Sequence, residues 1–339
     1  MQPAWIQLYL EGLPNQDPVY RSIREAIYGK DRPWQRKEAS PYTGPLTLVA
    51  GNQRWKGLPL ASLETAYGWE SRAWNGSQLL ARPEQASELL HLLNRQPGWD
   101  VCQLHTLFQN ETRALADACA EQGNFASFQP HPVTVVAGAT SYADYVEQRA
   151  KAHGESNRAQ KKSMRKAAEL GIEYRSEPLW EEILTLLDKR DRAFSNGSDY
   201  TKTVKFREFF KAFREAIKAE GRALEIGVYT PGDQGRLIGY LFCFRTGSVY
   251  HFYQTCFDAE YAKLRPGLLA FEKAMERTLD LPGEKIVGFM GTADYFKRLA
   301  WQELPLAYMT VYSRSWKGRL VSAVRGLKEG RGKNAGYAV

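Results

Sequence analysis

Residues 237–279 read LIGYLFCFRTGSVYHFYQTCFDAEYAKLRPGLLAFEKAMERTL, and this stretch decides the fold. RLIGYLFCFRTG and SVYHFYQTCF are runs of aromatic and aliphatic residues of strand length, and the Thr246-Gly247 step between them reads as a hairpin turn. ALEIGVYT, ahead of the turn-forming PGDQG, adds a third strand, so an antiparallel meander is expected. The next run, KLRPGLLAFEKAMERTLDL, reads as a helix opened by Pro266 and Gly267, with the proline pre-set for a first turn. A helix start presents unpaired N–H groups and the positive end of the helix dipole, and glycine lets a ligand come close to the backbone. Pro266, Gly267 and Leu268, with charge added by Lys263 and Arg265, are therefore a candidate anion site suited to a pyrophosphate. By spacing alone the same residues also read as an ordinary turn into a helix.

Working outward, EKIVGFMG at 284–291 reads as a strand, ADYFKRLAW at 293–301 as a short helix and LAYMTVYSR at 306–314 as a final strand. Upstream, residues 141–171 run helical from a serine cap, with HGES at 153–156 as an interruption, and GIEYRSEP follows as a strand. WEEILTLLDKRDRAFSN and VKFREFFKAFREAIKAEG have apolar residues at helical spacing. In the first half, WIQLYLEGL at 5–13 reads as a strand, and a short helix is expected around Val19–Tyr28. PLTLVA and WKGLPLASL read as a hairpin around GNQR at 51–54. A helix over 82–96, a strand over 101–108, a helix over 110–123 and a strand over 124–138 complete the half.

A chain of 339 residues predicts about two domains, and 43% hydrophobic with 25% charged residues is a globular balance. The net charge of +8 favours anionic partners: nucleic acid, acidic lipid headgroups or a phosphate-rich cofactor. Cys102, Cys119, Cys243 and Cys256 form no CxxC pair, which speaks against a zinc or dithiol site and suits a reducing compartment. Neither a basic-then-apolar leader nor a run of 18 apolar residues is present, so a cytoplasmic protein without a membrane span is expected.

The central stretch resembles the CelD-like branch of the GNAT superfamily acyltransferases, which is related to the FemAB aminoacyl transferases of cell-wall synthesis. The residues that carry the resemblance are Gly239 to Phe244, Tyr253 to Tyr261, Pro266-Gly267, Gly288 and Gly291, and Tyr295 with Lys297. The basic run SNRAQKKSMRKAAELG resembles the family's helix before its first acyltransferase strand. LPLASLETAYGW, WNGSQLL and WDVCQLHTLF resemble its degenerate N-terminal half. The resemblance implies an α/β (α+β) fold of two tandem GNAT-like domains, each a mixed central sheet flanked by helices. Residues 1–138 would be the degenerate domain, 139–315 the acyltransferase domain and 316–339 a basic C-terminal tail. In such enzymes the central strands splay apart and the donor's pantetheine sits in the gap. An acyl-CoA donor such as acetyl-CoA, with no metal, is therefore expected.

Acyl transfer needs a group that takes the nucleophile's proton, a donor to the oxyanion and an acid for the leaving thiolate. The candidates are His251, Asp258, Tyr295 and Lys297, with Tyr261 and Asp294 nearby. His251 suits a base near neutrality, and strand alternation puts Tyr253, a candidate substrate contact, on the same face. His251 as a packed core residue, Asp258 as a turn cap and the Tyr295–Lys297 segment as a plain amphipathic helix remain open readings. Arg158, Lys161, Lys162 and Arg165 share one side of a helix, which fits a phosphorylated acceptor, transfer RNA or simply solvent. Trp34, Trp55, Trp69, Trp74 and Trp99 crowd the first half, as core residues or as a surface for a saccharide.

Three functions follow. The first is an acyltransferase moving an acyl group from acyl-CoA to an amine or hydroxyl of a sugar, polysaccharide precursor or small metabolite. The second is an aminoacyl-tRNA-dependent, FemAB-like transferase, and the third is a GNAT-fold binding protein without catalysis.

Overall fold

The computed structural model describes residues 6, 8, 9, 12, 17–28, 34–36, 47–65, 85–95, 98–130, 132–193, 203–283, 285–289 and 296–331. In chain order, the elements begin with α1 (Pro18–Tyr28), β1 (Trp34–Arg36), β2 (Thr47–Trp55), β3 (Leu58–Thr65), α2 (Gln85–Asn94), β4 (Val101–Phe108) and α3 (Gln109–Glu121). β5 (Phe125–Pro130), β6 (Val133–Ala137), α4 (Tyr142–Ala152), α5 (Gly154–Glu169), β7 (Glu173–Arg175), α6 (Trp180–Ala193) and α7 (Val204–Ala219) follow. The chain then runs through β8 (Ala223–Tyr229), β9 (Leu237–Thr246), β10 (Val249–Phe257), a 3-10 turn (Ala259–Leu264), α8 (Pro266–Leu279) and β11 (Ile286–Phe289). A second 3-10 turn (Phe296–Arg298), β12 (Gln302–Leu304), β13 (Leu306–Tyr312) and α9 (Trp316–Arg331) close it.

The chain forms two compact units, one of residues Met1–Ile27 and Val133–Leu304, the other of Tyr28–Pro132 and Pro305–Val339. This division differs from a single cut at residue 138. The expected strand over 124–138 is two strands, β5 and β6, which join different sheets. β6 pairs with β11 and β12, whereas β13 lies between β4 and β5. Backbone pairing, which no local pattern encodes, assigns each strand to its unit.

The larger unit is a seven-stranded mixed sheet in the order β12-β6-β11-β10-β9-β8-β7. β8, β9 and β10 form the expected antiparallel meander, and β11 joins β10 in parallel. On one face α8 buries Leu269, Ala270, Phe271 and Met275 against Ile226, Leu241, Phe252 and Phe289. On the other, α7 carries Phe206, Phe209, Phe210, Phe213 and Ile217, all fully buried, at the three- and four-residue spacing of one helix face. Each such side chain contributes roughly 1.5–3 kcal/mol by leaving water. Thr203 caps this helix through the N–H of Phe206.

The N-terminal segment belongs to this unit. Ile6, Leu8 and Tyr9 are helical, not extended as WIQLYLEGL suggested, and the Gly12 N–H bonds to the Leu8 carbonyl. Tyr9 fills the space a side chain at Gly288 would need, since a Cβ there would sit 2.8 Å from its ring. Asp17 caps α1 through the N–H of Val19 and is ion-paired with Arg222 at 2.5 Å.

The smaller unit is a six-stranded sheet, β1-β2-β3-β4-β13-β5. Its hairpin turns at Lys56-Gly57, both at positive φ (46° and 85°), while GNQR lies within β2. A two-residue turn with both residues left-handed matches the twist of the strands, and glycine makes it accessible here. Of the expected first-half tryptophans, Trp69 and Trp74 lie outside the described residues; Trp99 is core, its indole N–H donating to the Leu93 carbonyl. The basic tail opens as a helix, α9 over Trp316–Arg331.

One glycine positions the helix start of the larger unit. A Cβ at Gly239 of β9 would lie 2.7 Å from Pro266 Cβ and 3.0 Å from its backbone carbon and oxygen. Gly239→Ala is therefore expected to lower stability by about 1–3 kcal/mol and displace the start of α8. Thermal denaturation checks this, and a variant melting with the wild type would refute the close fit.

Candidate functional site

Among the described residues, β10 and β11 pair in parallel from Val249↔Ile286 to Phe252↔Phe289. The β9–β10 register then shifts between Phe252 and Gln254, a bulge. Beyond it, residues Gln254–Phe257 pair with β9 alone among the described residues. β10 then delivers the chain to the start of α8. Asp258 caps the intervening 3-10 turn, which ends on Arg265 in the left-handed conformation (φ 58°).

Pro266 is the first residue of α8 and is buried. The first intrahelical bond runs from the Leu269 N–H to the Arg265 carbonyl, so the N–H groups of Gly267 and Leu268 precede it. A Cβ at Gly267 would meet only Phe257 and Thr255, at 3.6 and 3.7 Å, so the fold itself does not demand glycine there. Lys263 and Arg265 are exposed beside this helix start. Two N–H groups ahead of the first intrahelical bond, the positive end of a helix dipole and two cations suit the phosphates of a thioester donor.

The catalytic candidates do not gather at this point. His251 is fully buried, and its Nε2 lies 2.7 Å from the Gly12 carbonyl oxygen, to which it donates. Burial drives its pKa down from 6.5 to about 3, despite the opposing bond to Gly12. His251 is therefore a neutral core residue, not a base working near neutrality. As pH falls from 6.5 toward 3, the unfolded chain takes up a proton that the folded chain refuses, so stability declines over that window. His251→Gln, which keeps a donor for Gly12, should show a shallower loss of melting temperature across it. An unchanged slope would contradict this.

Tyr253 lies on the His251 face as alternation required, but it packs among Tyr20, Phe210, Phe213, Phe242 and Phe244 rather than facing a ligand. Asp258 is buried and bonds the Glu260 N–H, Lys189 Nζ at 2.8 Å and Arg236 Nη2 at 3.2 Å. Burial raises its pKa, but the Lys189 bond, the Glu260 N–H and the charges of Lys189 and Arg236 outweigh it and hold the carboxyl below its ordinary range. It acts as a cap and an ion-pair centre, the alternative its place in the sequence left open. Lys189 and Arg236 also line a groove of about 260 Å³ between α6 and the start of β9. Lys297 is half-exposed, 4.0 Å from Glu303. Gly291, Asp294 and Tyr295 lie outside the described residues. Arg158, Lys161, Lys162, Arg165 and Lys166 are exposed on α5, opposite its buried Gln160 and Ala167, and Arg165 reaches Glu169 at 3.6 Å.

Two buried charge networks went unread in the sequence. Glu272 of α8 accepts from Arg149 Nη1 and Tyr142 Oη, both at 2.6 Å, while Arg149 also donates to Tyr145 Oη at 2.8 Å. Tyr145 Oη in turn donates to the Leu299 carbonyl. On the opposite face of the sheet, Glu225 accepts from Arg214 and from Tyr240 Oη, each at 2.5 Å. Charge inside an apolar run, as Glu272 and Lys273 stand between Phe271 and Ala274, was the available signal. The partner of Glu272, 123 residues away, had none.

Residues 155–298 match the family model described as an acetyltransferase (GNAT) domain, which supports a GNAT-fold acyltransferase. Its fold is shared with FemX, at a TM-score of 0.56 and 9% identity over 91% of this chain and 96% of that one. L-PGS from Bacillus licheniformis aligns at a TM-score of 0.49 and 8% identity, over 91% and 96% of the two chains. A conserved protein of unknown function from Bacteroides thetaiotaomicron aligns at 0.45 and 10%, over 86% and 97%. No curated protein sequence matches the chain. Among the described residues, no helix is long and apolar enough to cross a membrane, and no cluster of side chains suits a metal ion.

Proposed function

We propose that the larger unit transfers an acyl group from acyl-CoA to an amine or hydroxyl of a small-molecule or saccharide acceptor. The observation that carries this reading is the helix start at Pro266, which follows β10 and its bulge, with Lys263 and Arg265 exposed beside it. The donor's phosphates would be held by the N–H groups of Gly267 and Leu268 and by Lys263 and Arg265. Pro266 sets the backbone for that contact, and the thioester arm would lie along β10 beyond its bulge. Tyr295 and Lys297 stand as the candidates for handling the proton and the leaving thiolate; His251 and Asp258 are committed elsewhere.

A second reading, transfer from an aminoacyl-tRNA, is favoured by a specific feature. Arg158, Lys161, Lys162 and Lys166 are exposed on α5 with no ion pair among the described residues, a stripe suited to phosphates.

Isothermal titration with CoA and acetyl-CoA decides between them. Micromolar binding is expected. No binding by well-folded protein would overturn the acyl-CoA reading, and salt-sensitive binding of charged transfer RNA would then support the second.

A further inference from the structure

We infer that the smaller unit docks on an anionic lipid surface through α9 and the neighbouring edge of its sheet. This helix carries Lys317, Arg319, Arg325, Lys328 and Arg331 against a single acid, Glu329. Its inward side is fixed: Val321 is buried with Tyr312, Leu60 and Val101, and Arg325 Nη1 donates to Tyr312 Oη at 3.1 Å. The outward side is apolar too. Trp316 is 66% exposed and Leu320 44%, with Arg319 and Ala323 exposed between and beyond them, spacings that put all four on one face.

Phe125, 51% exposed, extends this surface. It pairs with Tyr312 across β5 and β13, and directly paired residues share a sheet face. Ser127, two residues on, contacts Tyr312 Oη at 3.1 Å, while Ala126 and Phe128 pack into the core on the other side. Phe125 therefore sits on the α9 side of the sheet. Single exposed apolar residues are ordinary, but a tryptophan, a leucine and a phenylalanine on one side of one unit are not. Arg314 and Arg319, both exposed, have no ion pair among the described residues.

A basic helix with an exposed tryptophan and leucine matches the chemistry of a bilayer interface. Apolar side chains enter the headgroup boundary, the indole sits at headgroup level, and arginines meet lipid phosphates. Charge selects this occupant over the others. A second copy packed face to face would oppose the same arginines across a twofold axis. A nucleic acid duplex offers phosphates but nothing for Leu320.

The test is sedimentation of the full chain with vesicles of phosphatidylcholine alone and with about a third phosphatidylglycerol. Two arginines at the surface should favour the anionic vesicles roughly thirtyfold, and raised salt should erase the preference. Trp316→Ser/Leu320→Ser should bind at least about tenfold more weakly while melting as the wild type does, because both side chains are exposed. Arg314→Glu/Arg319→Glu should abolish the preference. Wild-type protein that ignores anionic vesicles, or a Trp316→Ser/Leu320→Ser variant that binds them as well as wild type, overturns the inference. So does light scattering that shows a wild-type dimer and a monomeric variant without vesicle binding, which would make the face a contact between copies.

Discussion

Gly267→Glu is expected to fold as stably as the wild type and to bind CoA about a hundredfold more weakly. The two halves of that result come from different parts of the geometry. A Cβ at Gly267 meets its nearest neighbours at 3.6 and 3.7 Å, ordinary van der Waals contact, so a side chain can start there without a clash. Glutamate is also a better helix former than glycine, and an acid in the first turn favours the helix dipole. Stability should hold or rise slightly. The donor site fares differently, because a carboxylate would stand where phosphates approach the Gly267 and Leu268 N–H groups. Losing charge-assisted hydrogen bonds of about 1.5–3 kcal/mol, together with like-charge repulsion, gives about a hundredfold in affinity. Titration calorimetry beside a melting curve reads both quantities. Undiminished CoA binding would move the donor site elsewhere, whereas a collapsed melting temperature would mean that the glycine serves the fold.

Arg149→Met is expected to destabilise the larger unit by about 3–5 kcal/mol, roughly 10 °C in melting temperature. Arg149 and Glu272 each have side chains only 2% exposed and meet at 2.6 Å. Removing the guanidinium leaves a carboxylate in the core beside the Tyr142 hydroxyl. Burial already raises the pKa of Glu272, against the lowering effects of Arg149 and Tyr142. Without Arg149 the rise is larger. A carboxyl whose folded pKa exceeds its unfolded value binds more protons when folded, so its burden on stability grows as pH rises through that range and is relieved as pH falls. The deficit of Arg149→Met should therefore shrink in acid. Arg149→Met/Glu272→Met should recover most of it, since an apolar pair replaces a buried ionic one at little cost. Equal destabilisation of the single and double variants would show that packing, and not charge, sets the effect.

Both predictions concern α8, whose two ends differ in legibility. Its start could be read directly, because Pro266-Gly267 after a strand is a local signal. Its buried Glu272 became meaningful only beside Arg149. The same contrast runs through the candidate list. His251 had the residue type of a base, and alternation correctly put Tyr253 on its face. What alternation could not supply was the cover: the Gly12 carbonyl and the Tyr9 ring close over that face from a segment about 240 residues earlier. Asp258 likewise read as either a base or a cap until Lys189 and Arg236 met it.

What the sequence by itself determined is the set of pieces: the three-stranded meander, the helix that buries five apolar residues of α7, the Pro-Gly helix start, and the GNAT resemblance these carry. Such features rest on residue type and on periods of two or three to four, which neighbouring positions specify on their own. The tertiary structure alone decided which sheet each strand joins, with β6 and β13 exchanged between the units. It alone decided that Tyr9 and Gly12 cover His251 of β10, and which charged residues are partners. Those outcomes depend on backbone pairing and burial between positions far apart in the chain, where the free energy of a contact is a property of two distant segments and is written in neither of them.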